Sequence, residues 1–269
     1  MKLHAHAVEK PWGRTDLATI FGGSSDRRIG EIWFEHPASQ DLPLLVKYIF
    51  TSETLSVQVH PNDDEARDRG LARGKNECWY ILDADEDATI GLGLKSEISS
   101  TELRTAAVDG SIEQLIDWRP VAPGDFFYVP AGTVHAIGAG IMLLEVQQNA
   151  DVTYRLFDYG RSRELHLDDA IAVSRPEKYP PENFRRAGGP ADAVLVDGPH
   201  FSLIRASSVD LIPPSLSARS RWVMPLQGRA ASNDDTASAG ECLLLVPDAP
   251  LSFSDSAIVL IGAQGSLAN

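Results

Sequence analysis

Gly124-Asp-Phe-Phe-Tyr-Val-Pro-Ala-Gly-Thr-Val-His135 is the stretch on which the reading of the whole chain turns. Phe126 to Val129 has the aromatic and β-branched content of a strand. Pro130 fixes φ and Gly132 permits a positive φ, so Pro130-Ala131-Gly132 predicts a tight turn. His135 then emerges at the start of the next strand. A second stretch, Ser56-Val-Gln-Val-His60, alternates strictly: Val57 and Val59 point one way, and Ser56, Gln58 and His60 the other. Cα atoms two apart on a strand are separated by about 6.6 Å, so Gln58 and His60 can close on one small object. The plain alternative for that pair is a strand face turned to water. For His135 it is a hydrogen bond to a backbone carbonyl.

Composition narrows what such a site serves. The chain has 269 residues, 43% of them hydrophobic, which is ample for one large core or two smaller ones. Lys and Arg total 24 against 38 Asp and Glu, a net charge of −14. That balance argues against nucleic acid or an anionic membrane as partner, because both are held by clustered positive charge. An anionic substrate therefore needs a local basic patch. The two cysteines, Cys78 and Cys242, have no paired spacing, so a reducing cytoplasm is expected rather than a disulfide framework. The N-terminal MKLHAHAVEKPWG has no apolar leader core. No run approaches the roughly 18 apolar residues of a membrane span.

Short β-rich runs punctuated by turn residues dominate the chain. The sequence predicts strands at 29–35, 43–50, 55–60, 77–84, 125–129, 141–148 and 152–158. Helices are expected over 63–69, 100–109, 112–117 and 166–174. RPEKYPPENFRRAGGPADA (175–193), rich in Pro, Gly and charge, is the best boundary candidate. Beyond it, strand-like runs at 201–205, 221–226, 242–246 and 257–261 contain little catalytic vocabulary, and SNDDTASAGE (232–241) reads as a flexible loop. The fold class expected is all-β, a sandwich or jelly roll with a few short helices.

The spacing G-x5-P-x-G-x2-H, read on Gly124, Pro130, Gly132 and His135, resembles the second metal motif of the cupin superfamily. That resemblance implies a partner motif of two strand residues at spacing two followed by a Glu. Gln58 and His60 match the pair, and Glu77 in Gly74-Lys-Asn-Glu77 matches the acid. Two imidazoles, one carboxylate and one amide oxygen suit a borderline divalent ion: Zn2+ first, one per chain, with another divalent metal as the alternative. The likeness sharpens over SVQVHPND, GKNECWYIL, GDFFYVPAGTVHAIG and EVQQNADVTYRLFDYGR, with EKPWG, IGEIW and PLLVKYIF flanking them. Together these look like the class I mannose-6-phosphate isomerases of the short bacterial form, from about Val8 to Arg175. Two departures, WGR in place of WGG at Trp12–Arg14 and a short segment between Glu35 and Pro43, concern the cleft rim. The resemblance implies metal ligands Gln58, His60, Glu77 and His135, and an active-site Arg and Lys at Arg155 and Lys75. It also implies a two-domain cupin, with a catalytic domain over 1–175 and a smaller cupin-like domain over 176–269.

Aldose–ketose isomerisation asks for these residue types. One proton moves between C2 and C1 through a cis-enediol, which needs a base at that edge, an electrophile for the oxyanion and a phosphate anchor. Lys75 and Glu145 are the acid/base candidates; a Lys kept from bulk water beside a cation is expected to have a depressed pKa. Glu145 has a rival reading as a strand residue paired to an Arg. Arg155 has one as a salt bridge to Asp158 or Asp151. Lys47, Arg161 and Arg163 are candidate phosphate anchors, and Ser56 joins Lys47 and Arg161 as substrate-binding candidates. The expected partner is a small sugar phosphate, and the expected assembly a monomer or weak homodimer. Two other functions stay open at this point. One is an iron-dependent cupin oxygenase, disfavoured by the Gln ligand and the basic set. The other is a sugar-phosphate-binding module without chemistry, disfavoured by the acid/base groups.

Overall fold

The structure, a computed structural model, describes residues 1–186 and 192–267. Twelve strands build the first unit. They are β1 (His4–Asp16), β2 (Ser24–Glu35), β3 (Leu44–Phe50), β4 (Val57–Val59), β5 (Glu77–Ala84) and β6 (Thr89–Leu94). After them come β7 (Ile116–Pro120), β8 (Phe126–Val129), β9 (His135–Ile137), β10 (Ile141–Gln148), β11 (Tyr154–Phe157) and β12 (Phe184–Arg185). They form two facing sheets, a seven-stranded one in the order β1-β2-β3-β10-β5-β8-β12 and a five-stranded one in the order β11-β4-β9-β6-β7. Every pairing within them is antiparallel. The fold is all-β and of the cupin type.

The second unit comprises β13 (Ala193–Asp197), β14 (Phe201–Ala206), β15 (Arg221–Gln227), β16 (Arg229–Ser232), β17 (Asp235–Ser238), β18 (Leu243–Leu245), β19 (Ser252–Phe253) and β20 (Ile258–Gln264). These strands make a five-stranded and a three-stranded sheet, joined to the first unit by a bridge between Lys2 and Leu243. Within the expected boundary segment, β12 still pairs with β8 of the first unit, and residues 187–191 lie outside the described residues.

The seven-stranded sheet is buried on both faces, which is why β3 reads as one unbroken apolar run apart from Lys47. Val46, Tyr48, Cys78 and Leu144 on its outer face pack against Leu203, Trp222 and Leu260 of the second unit. Each such fully buried side chain contributes about 1.5–3 kcal/mol of transfer free energy. The alternate residues, among them Lys47, Glu77 and Glu145, face inward. The helices are α1 (Asp63–Asp68), α2 (Ser100–Asp109), α3 (Ile112–Leu115) and α4 (Leu167–Val173); Leu103, Ile112 and Ala170 of the last three pack with Val57, Val59 and Leu156 on the outer face of the five-stranded sheet. Asn62 with Glu65, and Ser99 with Glu102, form capping boxes that start the first two.

Two expectations fail. The helix expected to reach residue 117 ends at Leu115, because Ile116 is fully buried and opens β7 against Leu94 of β6. SNDDTASAGE is no flexible loop. Ser232 pairs with Asp235 across a two-residue turn in which Asn233 takes φ 51°, the left-handed conformation that such hairpins require.

Candidate metal centre and the surrounding cleft

His60, Glu77 and His135 meet between the two sheets, their donor atoms all within 4.8 Å of one another. The chain positions each by a local device. Gly132 takes φ 87° in the expected turn, and its N–H donates to the His60 carbonyl at 2.8 Å, tying the two histidine segments together. Glu77 is the first residue of β5, and Gln58 on β4 is the register partner of His135 on β9. His60 Nε2 lies 3.4 Å from Glu77 Oε2, and His135 Nε2 lies 3.4 Å from Glu77 Oε1. The Gln58 carboxamide reaches His135 Nε2 at 3.2 Å. Donors bonded at about 2.1 Å to a tetrahedral ion stand about 3.4 Å from each other.

The hydrogen bonding fits the same reading. His135 Nδ1 donates to the Thr133 carbonyl at 2.9 Å, which fixes the tautomer and leaves the Nε2 lone pair facing Glu77. Both ring nitrogens of His60 are buried without a hydrogen-bond partner, a cost that ligation through one of them would offset, and Glu77 Oε2 has the Lys75 ammonium at 3.1 Å. Burial, and then the Lys75 charge, pushes the His60 pKa down to about 3, so the ring is neutral as a ligand must be. Burial also lowers His135. Burial works to raise Glu77, but Lys75 and then His60 hold it well below the usual carboxylate range. Two imidazoles and one carboxylate among the described residues thus fit a divalent cation, and Gln58 can turn its Oε1 to the same point.

An alternating row of charges runs outward from this cluster. Lys75 Nζ is 3.1 Å from Glu77 and 3.9 Å from Glu145; Lys47 Nζ is 3.3 Å from Glu145 and 3.8 Å from Glu31; Lys10 is 3.5 Å from Glu31. Glu145 stands opposite Lys47 across the β3–β10 pairing and opposite Trp79 across β10–β5. Burial, reinforced by the Glu77 charge, pushes Glu145 up to about 7 against the pull of Lys47 and Lys75. Burial opposes the charge on Lys47, but Glu145 and Glu31 outweigh it and raise the lysine's pKa. The rival reading of Glu145, an Arg partner, is not met among the described residues: its partners are lysines.

These groups line a cavity of about 80 Å³ that also takes in Ser56, Gln58 and Arg155. It shares Lys10, Glu31, Lys47, Lys75, Thr153 and Arg155 with an outer compartment of about 270 Å³. A larger cavity of about 600 Å³ lies elsewhere, against Trp222 and Leu244 of the second unit, and contains none of this chemistry. Ser56 donates to Gln58 Oε1 at 3.3 Å. Arg155, the register partner of Gln58 across β11–β4, lines both compartments, and its Nε is buried without a partner. Burial, then the Arg163 charge, lowers its pKa. The rival reading, a salt bridge from Arg155 to Asp158 or Asp151, is not met. Asp158 is taken by Arg163, at 2.6 and 2.7 Å, and by Arg161, at 3.0 Å. Arg161 also donates to the Thr54 carbonyl and lies outside both compartments, whereas Arg163 lines the inner one. His4, His6, His36, His166 and His200 stand apart from the cluster.

Sequence reasoning singled out neither Lys10, Glu31 and Trp33 nor Thr153. Trp33 Nε1 donates to Glu31 Oε2 at 2.7 Å and holds that carboxylate over Lys47. The alternation of Ile29-Gly-Glu-Ile-Trp33, which puts Glu31 and Trp33 on one face, was the available signal.

No family model matches the chain. It is similar to the mannose-6-phosphate isomerase of Streptococcus mutans serotype c, 40% identical over 181 residues, covering 64% of this chain and 57% of that one. The chain thus spans little more than half of that relative's length. It is 35% identical over 240 residues to a Bacillus subtilis (strain 168) protein named "Probable mannose-6-phosphate isomerase GmuF", covering 73% of this chain and 76% of that one. Among solved structures, the mannose 6-phosphate isomerase from Bacillus subtilis superposes with a TM-score of 0.78 at 28% identity, over 97% of this chain and 98% of that one.

Proposed function

The chain belongs to the mannose-6-phosphate isomerase family, and from that membership and the cleft we propose that it interconverts mannose 6-phosphate and fructose 6-phosphate. The observation that carries the reading is the His60–Glu77–His135 cluster, whose Glu77, with Gln58 beside it, lines the same cavity as Lys75, Glu145 and Arg155. Gln58, His60, Glu77 and His135 hold one divalent ion, zinc before others given two imidazoles and mixed oxygen donors. When bound, that ion supplies positive charge that polarises the oxygens at C1 and C2 of the sugar.

The protein's own groups do the rest. Glu145, a buried carboxylate with its pKa moved towards neutrality, takes the proton from C2 and returns it to C1 on the same face of the enediol. Lys75 stands 3.9 Å from it and keeps a proton at the oxygen where charge develops. Arg155, free of any carboxylate within ion-pair distance among the described residues, offers a fixed guanidinium to the same edge. Lys47 holds Glu145 in place, and Ser56 orients Gln58. Ser56, Lys47 and Arg161 entered as substrate contacts. The burial of Lys47 between two carboxylates and the position of Arg161 outside both compartments favour a supporting role for both, with Arg163, held by Asp158 on the cavity wall, as the phosphate-side arginine.

We take the chain as two domains, the catalytic cupin expected over 1–175 and a smaller β domain expected over 176–269 whose sheet backs the seven-stranded one, with β12 paired to β8 favouring a boundary after Arg185. No helix among the described residues is long and apolar enough to cross a membrane. Cys78 and Cys242 are buried free thiols, which suits a cytoplasmic enzyme. A coupled assay for fructose 6-phosphate formed from mannose 6-phosphate tests the function. Metal bound without turnover indicates a binding module, and dioxygen uptake indicates an oxygenase.

A further inference from the structure

A chain of polar groups, buried at Asn76 and Gln148 and half-buried at Asp63, joins the segments that carry His60, Lys75, Glu77, His135 and Glu145. Asn76 stands between Lys75 and Glu77. Its Oδ1 accepts from the Ala131 N–H at 3.0 Å and from the Tyr128 hydroxyl at 3.4 Å, inside the turn that leads to His135. Its Nδ2 donates to Gln148 Oε1 at 2.8 Å, and the same oxygen accepts the Asn76 N–H at 2.9 Å. The Gln148 N–H returns a bond to the Asn76 carbonyl at 3.0 Å. Gln148 is the last residue of β10, the strand that carries Glu145. Its Nε2 donates to Asp63 Oδ1 at 3.0 Å, and Asp63, just after His60-Pro61-Asn62, accepts the Gly74 N–H at 2.8 Å through that same oxygen. Lys75 N donates to the Pro61 carbonyl at 2.9 Å. The approach is so close that a Cβ at Gly74 would collide with the Asn62 backbone.

We infer that Asn76, Gln148 and Asp63 form a clip that sets the spacing of the site. They are positioning residues that act through His60, Lys75, Glu77, His135 and Glu145. None of the three lines the inner cavity or its outer compartment. Asp63 and Gln148 face instead a separate cavity of about 350 Å³, where His200 Nδ1 of the second unit stands 3.5 Å from Asp63 Oδ2. Asn76 and Gln148 are buried, and their amide oxygens and nitrogens are all bonded as donors or acceptors should be. A fully satisfied buried network of this kind specifies geometry, because a shift of any member leaves a polar group without a partner. A catalytic group misplaced by as little as an ångström loses much of its effect.

The inference rests on the isomerase reading for its kinetic consequence but not for its spectroscopic one. Gln148→Met keeps the length of the side chain and removes its hydrogen bonds. Metal-free wild type and variant are loaded with cobalt(II) alone, and their visible absorption is compared with kcat and KM on mannose 6-phosphate. The clip predicts a shifted cobalt spectrum, a cobalt(II) affinity lowered by about 10- to 100-fold, and a comparable fall in kcat with KM within about twofold. Should Gln148→Met fail to fold, Asn76→Ala is measured in the same way with the same expectations. An unchanged cobalt spectrum and unchanged affinity in the folded variant overturn the inference, whatever the melting temperature does. A wild type that binds cobalt(II) but makes no fructose 6-phosphate overturns the isomerase reading alone, and the spectral comparison still decides the clip.

Discussion

Replacing Glu145 with Gln separates catalysis from stability in a way that can be worked through from the structure. The substitution keeps the shape of a fully buried side chain and removes its charge. The Glu145 carboxyl is raised from an ordinary 4.5 to about 7, first by burial and then by Glu77. A shift of that size makes the ionised form cost the folded state about 3 kcal/mol at alkaline pH. Because the folded pKa is the higher one, this stability is fully present below about pH 4.5 and is lost as pH rises through about 7. A neutral amide at the same position carries no such cost. Against that, Lys47 loses its nearer carboxylate, at 3.3 Å, and keeps only Glu31, at 3.8 Å. The two effects offset near neutrality, so the variant's thermal midpoint stays within several degrees of wild type. In metal-free protein the midpoint of Glu145→Gln should gain on wild type by several degrees between pH 5 and pH 8. Turnover tells the other half: loss of the proton-transferring group lowers kcat by about 10²- to 10⁴-fold. A variant within tenfold of wild-type kcat refutes the assignment of the base. A midpoint difference that moves the opposite way with pH refutes the electrostatic account.

Arg155→Met should leave metal content and thermal midpoint near wild type and cut kcat by at least about a hundredfold, as steady-state kinetics beside metal analysis would reveal; near-normal kcat removes its catalytic role. Asp158→Asn breaks the pairs to Arg163 and Arg161, whose side chains are 28% and 22% exposed. Its stability loss should be about 2 kcal/mol, below that of a fully buried pair, read by urea unfolding, and a loss below about 0.5 kcal/mol contradicts it. His135→Ala should strip the metal while the chain still unfolds cooperatively in calorimetry, because the core seam does not depend on the site. Loss of the cooperative transition would make the metal structural.

Much of this was legible wherever the signal was local. The runs at 77–84 and 141–148 are strands over those very residues, since each has a continuous apolar stretch, Cys78 to Leu82 in one and Ile141 to Leu144 in the other. The alternation of 56–60 and the Pro130–Gly132 turn brought out Gln58, His60 and His135. β1 went unread because Pro11 and Gly13 break its pattern; at a sheet edge, with register shifts after Val8 and Glu9, the strand tolerates both. β6 was hidden by Gly91 and Gly93. The charge row was illegible for a different reason. Glu31 meets Lys47 across the consecutive strands β2 and β3, but Lys47 meets Glu145, and Glu145 meets Lys75, only through the order β3-β10-β5, in which neighbours come from distant parts of the chain. Nothing local sets that register. Nor could spacing reveal that Asp158, a rival partner for Arg155, is already held by Arg161 and Arg163.

The most direct test is a titration of metal-free protein with zinc, following fructose 6-phosphate formed from mannose 6-phosphate at each addition. One site built from Gln58, His60, Glu77 and His135 predicts turnover that rises linearly from zero and levels off at one equivalent per chain. Turnover that is independent of added metal, or absent at every ratio while the ion is bound, would contradict the account.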